Sequence, residues 1–162
     1  MQQYNFKNNT LNLKVKKSPI LVRAVMFGLA FSFFVFPVLG TIVGILAGSG
    51  LQFSYFIGIG IFSLIGFYLL RVSLWNTYGE ETIEIFENKI IYEANYGWFK
   101  DGKKEVFIFS NPIFHALLAD YEDNERVLLI VSGNVEIESV VKIPLHQLEE
   151  LIEVLNVKYN KS

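Results

Sequence analysis

At 162 residues and a net charge of −2, the chain has room for one modest soluble domain beside any membrane segment. It contains no cysteine, which excludes disulfides, thiolate metal sites and cysteine nucleophiles together. The near-neutral total hides a segregation: residues 1–71 carry six basic groups and no acidic one, while the remainder holds 8 basic and 16 acidic residues, a charge of −8.

Residues 1–22 form a basic tail in which Leu11-Asn12-Leu13-Lys14-Val15-Lys16 alternates apolar and polar side chains, the period of a strand with one buried face. Two readings stay open. Residues 11–16 are a strand that joins the sheet of the soluble domain, or the tail is solvated and drawn to anionic headgroups at about 1 kcal/mol per Lys.

From Ala24 to Leu70, 47 residues bracketed by Arg23 and Arg71 contain no Asp, Glu, Lys, Arg or His. A hydrocarbon core about 30 Å thick needs about 20 apolar residues, so this length holds two spans, about 24–46 and 51–70, joined by Ala47-Gly48-Ser49-Gly50. The run is too long for the apolar core of a cleaved signal peptide, about 7–15 residues. Basic residues remain on the cytoplasmic side of spans. Five of them precede the first span and none lies in the turn, which predicts a cytoplasmic N-terminus and, after two crossings, a cytoplasmic C-terminal domain.

Small residues lie symmetrically about Ser49, with Gly40, Gly44 and Gly48 before it and Gly50, Ser54 and Gly58 after. Antiparallel helices turning there would bring Gly40 to Gly58 and Gly44 to Ser54, a self-packed seam; a dimerisation face is the alternative. Pro37 is expected to kink the first span. Phe27, Phe31 and Phe34 share one helical face, with Phe33 and Phe36 beside it. That face suits lipid, or a docking partner that is itself an integral membrane protein. Transporters and pumps place Asp, Glu, Lys, Arg or His inside their spans, and this chain has none of these there. Trp75 and Tyr78, just past the second span, suit the headgroup level.

Beyond Arg71 the pattern changes to short β-rich runs between turn residues. Strands are expected at Glu81–Phe86, Ile90–Tyr96, Lys104–Phe109, Ile113–Tyr121, Arg126–Ser132 and Val135–Ile143, in antiparallel order. Past Pro144, the residues Leu145, Leu148, Leu151, Ile152, Leu155 and Tyr159 recur at helical spacing, which predicts an amphipathic helix over about 145–159.

Six or seven meandering strands and one terminal helix, directly behind a membrane hairpin, resemble the bacterial pleckstrin-homology-like (PH-like) membrane proteins. Leu74-Trp75-Asn76-Thr77-Tyr78-Gly79-Glu80-Glu81 looks like that family's aromatic exit from the second span followed by its Gly-x-Glu entry to the first strand. Tyr96-Gly97-Trp98-Phe99 looks like its Tyr-Gly-x-Phe turn. The resemblance covers about Arg71–Tyr159. It implies an α+β fold, a two-helix hairpin followed by a PH-like antiparallel β domain with a capping helix, in a bacterial inner membrane. It also implies a binding or scaffolding module, usually without catalysis. The turn-rich domain, the Phe-rich span and the lack of catalytic groups predict a non-enzymatic accessory, assembly or scaffold subunit of a larger membrane protein complex, with no cofactor. Phosphoinositide-binding members of the wider superfamily cluster basic residues in the first hairpin loop, where this chain has Glu87-Asn88-Lys89. With −8 on the domain, a protein partner with a basic face is the better expectation than anionic headgroups.

The remaining candidates are weaker. Trp98 and Phe99 with Lys100, Lys103 and Lys104 form either a membrane-interface patch, the aromatics dipping into the headgroups while Lys meets phosphate, or a turn whose aromatics pack beneath it. Asp120-Tyr121-Glu122-Asp123-Asn124-Glu125 is acidic but lacks the Gly and Glu register of a calcium loop, and is expected to be a solvated turn. His146, Glu149 and Glu150 share a helix face, and His115 lies far off in a strand; no metal site is expected from so few ligands. No nucleotide-binding or triad motif occurs, so neither nucleic acid nor a small-molecule substrate is inferred. Two alternatives to the scaffold reading stay open: a lipid-binding or sensing module at the membrane surface, and an immunity protein against a membrane-directed toxin.

Overall fold

The computed structural model describes residues 2–118 and 124–159. Two long apolar helices, antiparallel sheets and a C-terminal helix make an α+β chain. It divides into two units: Lys17–Thr77, and a β unit assembled from the segments that end at Lys16 and begin at Tyr78.

The N-terminal segment is part of the β unit. β1 (Tyr4–Lys7) and β2 (Thr10–Lys14) form a hairpin, and β2 continues the sheet by pairing antiparallel with β3 (Glu80–Ile85), Leu11 opposite Ile83. The turn is Asn8-Asn9, with φ of 49° and 68°. Asparagine tolerates this left-handed conformation, and two such residues give the twist a tight hairpin needs. The strand expected over 11–16 is therefore Thr10–Lys14, and Val15 leaves it by donating its N–H to Gly79 O at 3.0 Å.

The sheet goes on in sequence order through β4 (Lys89–Asn95) and β5 (Lys100–Phe107). β5 starts four residues before the expected Lys104. A bulge opposite Tyr92 to Ala94, with Gly102 at φ 66°, absorbs Asp101-Gly102 inside the strand. A second sheet holds β6 (Ile113–Leu118), β7 (Glu125–Ser132), β8 (Val135–Glu138) and β9 (Ile143–Pro144). The final expected strand is split into β8 and β9 because Ser139 turns inward, its hydroxyl accepting the Leu128 N–H at 2.9 Å. α3 (Leu145–Tyr159) follows at once, and its Leu148, Leu151 and Leu155 are fully buried.

Alternation builds the core. Leu11 and Leu13 of β2, Ile83 and Ile85 of β3 and Ile90 of β4 are buried, as are Phe114, Leu128, Ile130, Val141 and Ile143 and the α3 leucines. Each fully buried Leu or Ile contributes about 1.5–3 kcal/mol, so β2, brought from before the hairpin, holds an appreciable share of the unit's stability.

In the other unit, α1 (Ile20–Gly44) continues across Pro37 without a break and runs into a π-helical turn at Ile45–Ser49. Gly48 (φ 89°) and Gly50 (φ 66°) reverse the chain, at the place the sequence assigns to the turn. α2 (Phe53–Tyr78) then runs eight residues past Leu70. Both helices are long and apolar enough to cross a membrane, and only 6% of each one's most apolar window is buried.

Candidate functional site

Aromatic rings seated on glycines form the seam between α1 and α2. Gly66 faces Ala30 and Phe34: a Cβ added there would lie 2.9 Å from the Phe34 ring and 3.2 Å from Ala30 O. Gly44 faces the Tyr55 ring, where an added Cβ would lie 2.5 Å from the hydroxyl, and the Phe33 and Phe62 rings meet with centroids 5.8 Å apart. A Cβ on Gly40 or Gly58 meets nothing within 4 Å. The expected approach of Gly40 to Gly58 is thus replaced by one nearer the open end of the hairpin, at Ala30 and Gly66. Gly44 meets Tyr55 instead of Ser54, which is exposed and within 3.4 Å of Gln52. Gly48 belongs to the turn. The physical reason is volume: rings as large as Phe33, Phe62 and Tyr55 hold the helices apart elsewhere and leave glycine as a socket.

This seam also consumes part of the proposed partner face. Phe34 is turned onto Gly66 and Phe27 is half-buried, which leaves Phe31 the exposed member of the three. The side chains most open along α1 are others, among them Leu21, Phe36 and Val43.

The β4–β5 turn separates the residues that the sequence grouped together. Tyr96 N–H donates to Phe99 O at 2.9 Å, Asn95 Oδ1 accepts the Gly97 N–H at 2.8 Å, and the Tyr96 and Phe99 rings stack at 4.8 Å. Gly97 has φ 86°, and a Cβ on it would stand 2.7 Å from Tyr78 Cβ. The turn is therefore pressed directly against Tyr78, the last residue of α2. Phe99 packs while Trp98 is 62% exposed and Tyr78 51%. Lys100 is held by Glu93 at 2.7 Å, which raises its pKa. Lys103 and Lys104 lie farther up β5, Lys104 opposite Tyr92, and do not join the turn. Trp75, half-buried, belongs to the helical unit.

Sequence reasoning missed one group, Glu81. It is fully buried, although its alternation with Ile83 and Ile85 places it on the inner face of β3 and was the available signal. Its Oε1 accepts from the Tyr92 hydroxyl and from the Val140 N–H, both at 2.7 Å. It thereby ties β3 and β4 to the segment between β8 and β9. Oε2 is buried without a hydrogen-bond partner. Burial pushes the Glu81 carboxyl up from its usual range, opposed by the Tyr92 hydroxyl and the N–H groups of Val140 and Val141; Tyr92 is raised in turn, by burial first and then by the Glu81 charge. Beside this pair lies an open groove of about 490 Å³ lined by Tyr92, Lys104, Val106 and the Asn134–Glu138 hairpin.

The β5–β6 connection carries exposed apolar side chains on a fixed loop. Ile108 and Pro112 are buried, Ser110 O accepts from the Ser132 hydroxyl at 2.7 Å, and Phe109 between them is 97% exposed. Phe107, Ile113 and Leu118 are exposed nearby in the chain.

The acidic run at 120–125 lies outside the described residues except for Asn124 and Glu125, and Glu125 pairs with Lys16 at 3.6 Å. His115 and His146 are both exposed, and the described residues hold no group of three or more metal-ligating side chains. No protein-family model matches the sequence, and a search of curated proteins finds no match.

Proposed function

We propose that the chain is a two-span integral membrane protein of a bacterial inner membrane, with its N-terminus and its PH-like β domain both cytoplasmic, and that the domain is a non-enzymatic accessory, assembly or scaffold module of a larger membrane protein complex. The observation that carries the reading is apolar surface left uncovered in both units. Along α1 and α2 the large apolar side chains point outward for the length a bilayer requires, and lipid satisfies that surface. On the β unit, Phe109 stands almost fully exposed on a loop pinned at Ile108, Ser110 and Pro112, and exposed apolar groups held rigidly are a protein-contact signature. Residues 72–162 carry a net charge of −8, and with Lys7, Lys14 and Lys16 of the N-terminal segment the β unit carries −5, which suits a partner with a basic face.

Purification of the native chain in a gentle detergent is expected to recover a stoichiometric membrane partner, and Phe109→Ser with Leu118→Ser is expected to release it. A lone, monodisperse chain from cells that contain all its neighbours would sink the scaffold reading. A membrane-surface module is the second reading, favoured by the exposed Trp98.

A further inference from the structure

The second sheet ends at β8, which among the described residues pairs with β7 alone, and the first ends at β5, which pairs with β4 alone. The groove of about 490 Å³ lies between these two edges. Its walls follow from register. Tyr92 stands opposite both the buried Ile83 and Lys104, and the buried Ile90 opposite Val106, so Lys104 and Val106 occupy the inner face of β5. Val135 and Ile137 stand opposite the buried Ser132 and Ile130, which puts them on the inner face of β8 and Glu136 and Glu138 on the outer one. Val106, Val135 and Ile137 face inward and are nonetheless only half-buried, because no strand lies beyond β8 to cover them.

The backbone of β8 is open on the same side. Gly133-Asn134 is a two-residue turn, so Val135 and Ile137 exchange hydrogen bonds with β7, and the Ser139 N–H continues that series to Leu128 O at 2.9 Å. The alternate residues Glu136, Glu138 and Val140 therefore direct their N–H and C=O groups away from β7. At Val140 the chain supplies its own acceptor: the N–H donates to Glu81 Oε1 at 2.7 Å, where the carbonyl of a neighbouring strand would otherwise stand. Glu81 thus closes one end of the edge and leaves Glu136 and Glu138 facing the groove.

We propose that β8 is a docking edge for an extended segment of a partner polypeptide, which adds antiparallel to β8 and presents apolar side chains inward and basic side chains outward. The inference rests on the reading of the β unit as a binding module and names the chemistry of one partner. Main-chain hydrogen bonds to Glu136 and Glu138 supply affinity, and alternate side chains supply specificity. Inward side chains meet Val106, Val135, Ile137 and the stem of Lys104. Outward ones stand beside Glu136 and Glu138, which no ion pair engages among the described residues. The charge of −5 on the β unit acts in the same direction. The opposing edge is guarded, since β5 turns Lys104 inward and carries a bulge, two devices that discourage strand addition. β8 carries neither Lys nor Pro, and at four residues it suits a short linear segment.

The probe is a short fluorescent peptide of alternating valine and lysine, blocked at both ends, and its anisotropy is read against full-length protein in an uncharged detergent. A lysine opposite Glu136 in an antiparallel pair points its backbone N–H at β8, whereas the valines point theirs away. Methylating the lysine backbone nitrogens is therefore expected to weaken binding by at least about tenfold, and methylating the valine nitrogens by less than about threefold. The two methylated peptides share one composition, so partitioning into micelles cancels. Glu136→Pro removes an N–H that β7 does not use; it is expected to keep the parent's urea midpoint and to weaken binding by at least about tenfold. Glu136→Lys/Glu138→Lys leaves the backbone intact and is expected to weaken binding by about tenfold and to remove the preference over a valine–glutamate peptide. Equal binding of the two methylated peptides, tighter binding of the lysine-methylated one, no binding of the parent peptide, or unchanged affinity in the double Lys variant overturns the proposal. A Glu136→Cys crosslink between two copies of the chain that the peptide does not displace also overturns it, since the edge then belongs to a dimer. Each of these failures leaves the scaffold reading standing, because release of a partner by Phe109→Ser with Leu118→Ser does not involve Glu136 or Glu138.

Discussion

Replacing Gly97 by Ala tests whether the β4–β5 turn is locked to Tyr78, and a second glycine supplies the control. Gly97 and Gly102 both sit at positive φ, 86° and 66°, where an L residue costs about 1–2 kcal/mol. They differ in what surrounds them. A Cβ on Gly102 meets open space, whereas one on Gly97 would lie 2.7 Å from Tyr78 Cβ and 2.9 Å from Cγ, positions tied to backbone and unable to swing aside. Forcing such an overlap costs a further amount of about 1–3 kcal/mol. Gly97→Ala is thus expected to lose about 2 kcal/mol more than Gly102→Ala, which at a urea slope of about 1–2 kcal/mol per molar is a midpoint difference of about 1–2 M. The assay is urea unfolding of the full chain in mild detergent micelles, followed by near-ultraviolet circular dichroism. Tyr78→Gly should remove most of the excess, so the double variant Tyr78→Gly/Gly97→Ala should be non-additive. Equal losses for the two glycines, within about 0.5 kcal/mol, would refute the lock.

Three further outcomes are expected. Because Val15 and Gly79 are hydrogen-bonded neighbours, replacing Lys17–Thr77 with a short Gly-Ser linker should give a soluble, folded β unit, whereas residues 72–162 alone should not fold; Leu11→Ala in the linked form should cost about 2–5 kcal/mol, and a stably folded 72–162 fragment would contradict the role given to β2. Burial holds the Glu81 carboxyl above its ordinary value of 4.5, so the folded chain retains a proton there that the unfolded chain has shed, and the Glu81 contribution to stability falls as pH rises from 4.5 through the raised value. Glu81→Gln keeps an acceptor for Tyr92 and Val140 and should flatten that fall; an unchanged pH slope would count against it. In the hairpin, Ala30→Cys/Gly66→Cys should form an oxidative crosslink several-fold better than Gly40→Cys/Gly58→Cys, in a chain with no other cysteine; equal yields would argue against the seam.

Much of this fold is legible from period alone. The alternation in Glu80–Ile85 and the helical spacing after Pro144 place β3 and α3 almost to the residue, and Gly48 to Gly50 mark the hairpin turn. β1 was missed although its signal was present: Asn8-Asn9 between Tyr4-Asn5-Phe6-Lys7 and Thr10-Leu11-Asn12-Leu13 is a two-residue turn of the type hairpins require. What pairs with that hairpin, however, is β3, some seventy residues on, and no local pattern encodes a partner at that distance. The seam between the helices was placed on the glycines by symmetry, but symmetry is blind to ring volume, and Phe33, Phe34, Tyr55 and Phe62 decide which glycines are used. The turn at 96–104 read as one aromatic and basic patch because linear proximity hides strand geometry; β5 carries Lys103 and Lys104 away from Trp98. Glu81 was read as a strand residue without its burial being drawn out, since a charged side chain on an inner face runs against the usual pattern and is tolerated here through Tyr92 and Val140.

The central claim is that two spans return the chain to the side on which it began. The absence of native cysteine allows single-site labelling by a membrane-impermeant maleimide in intact bacterial spheroplasts, with cysteines at Gln2, Ser49 and Asn134 in separate variants. Ser49→Cys is expected to label in intact spheroplasts, and Gln2→Cys and Asn134→Cys only after permeabilisation. Labelling of Asn134→Cys from outside, or protection of Ser49→Cys until lysis, would contradict the account.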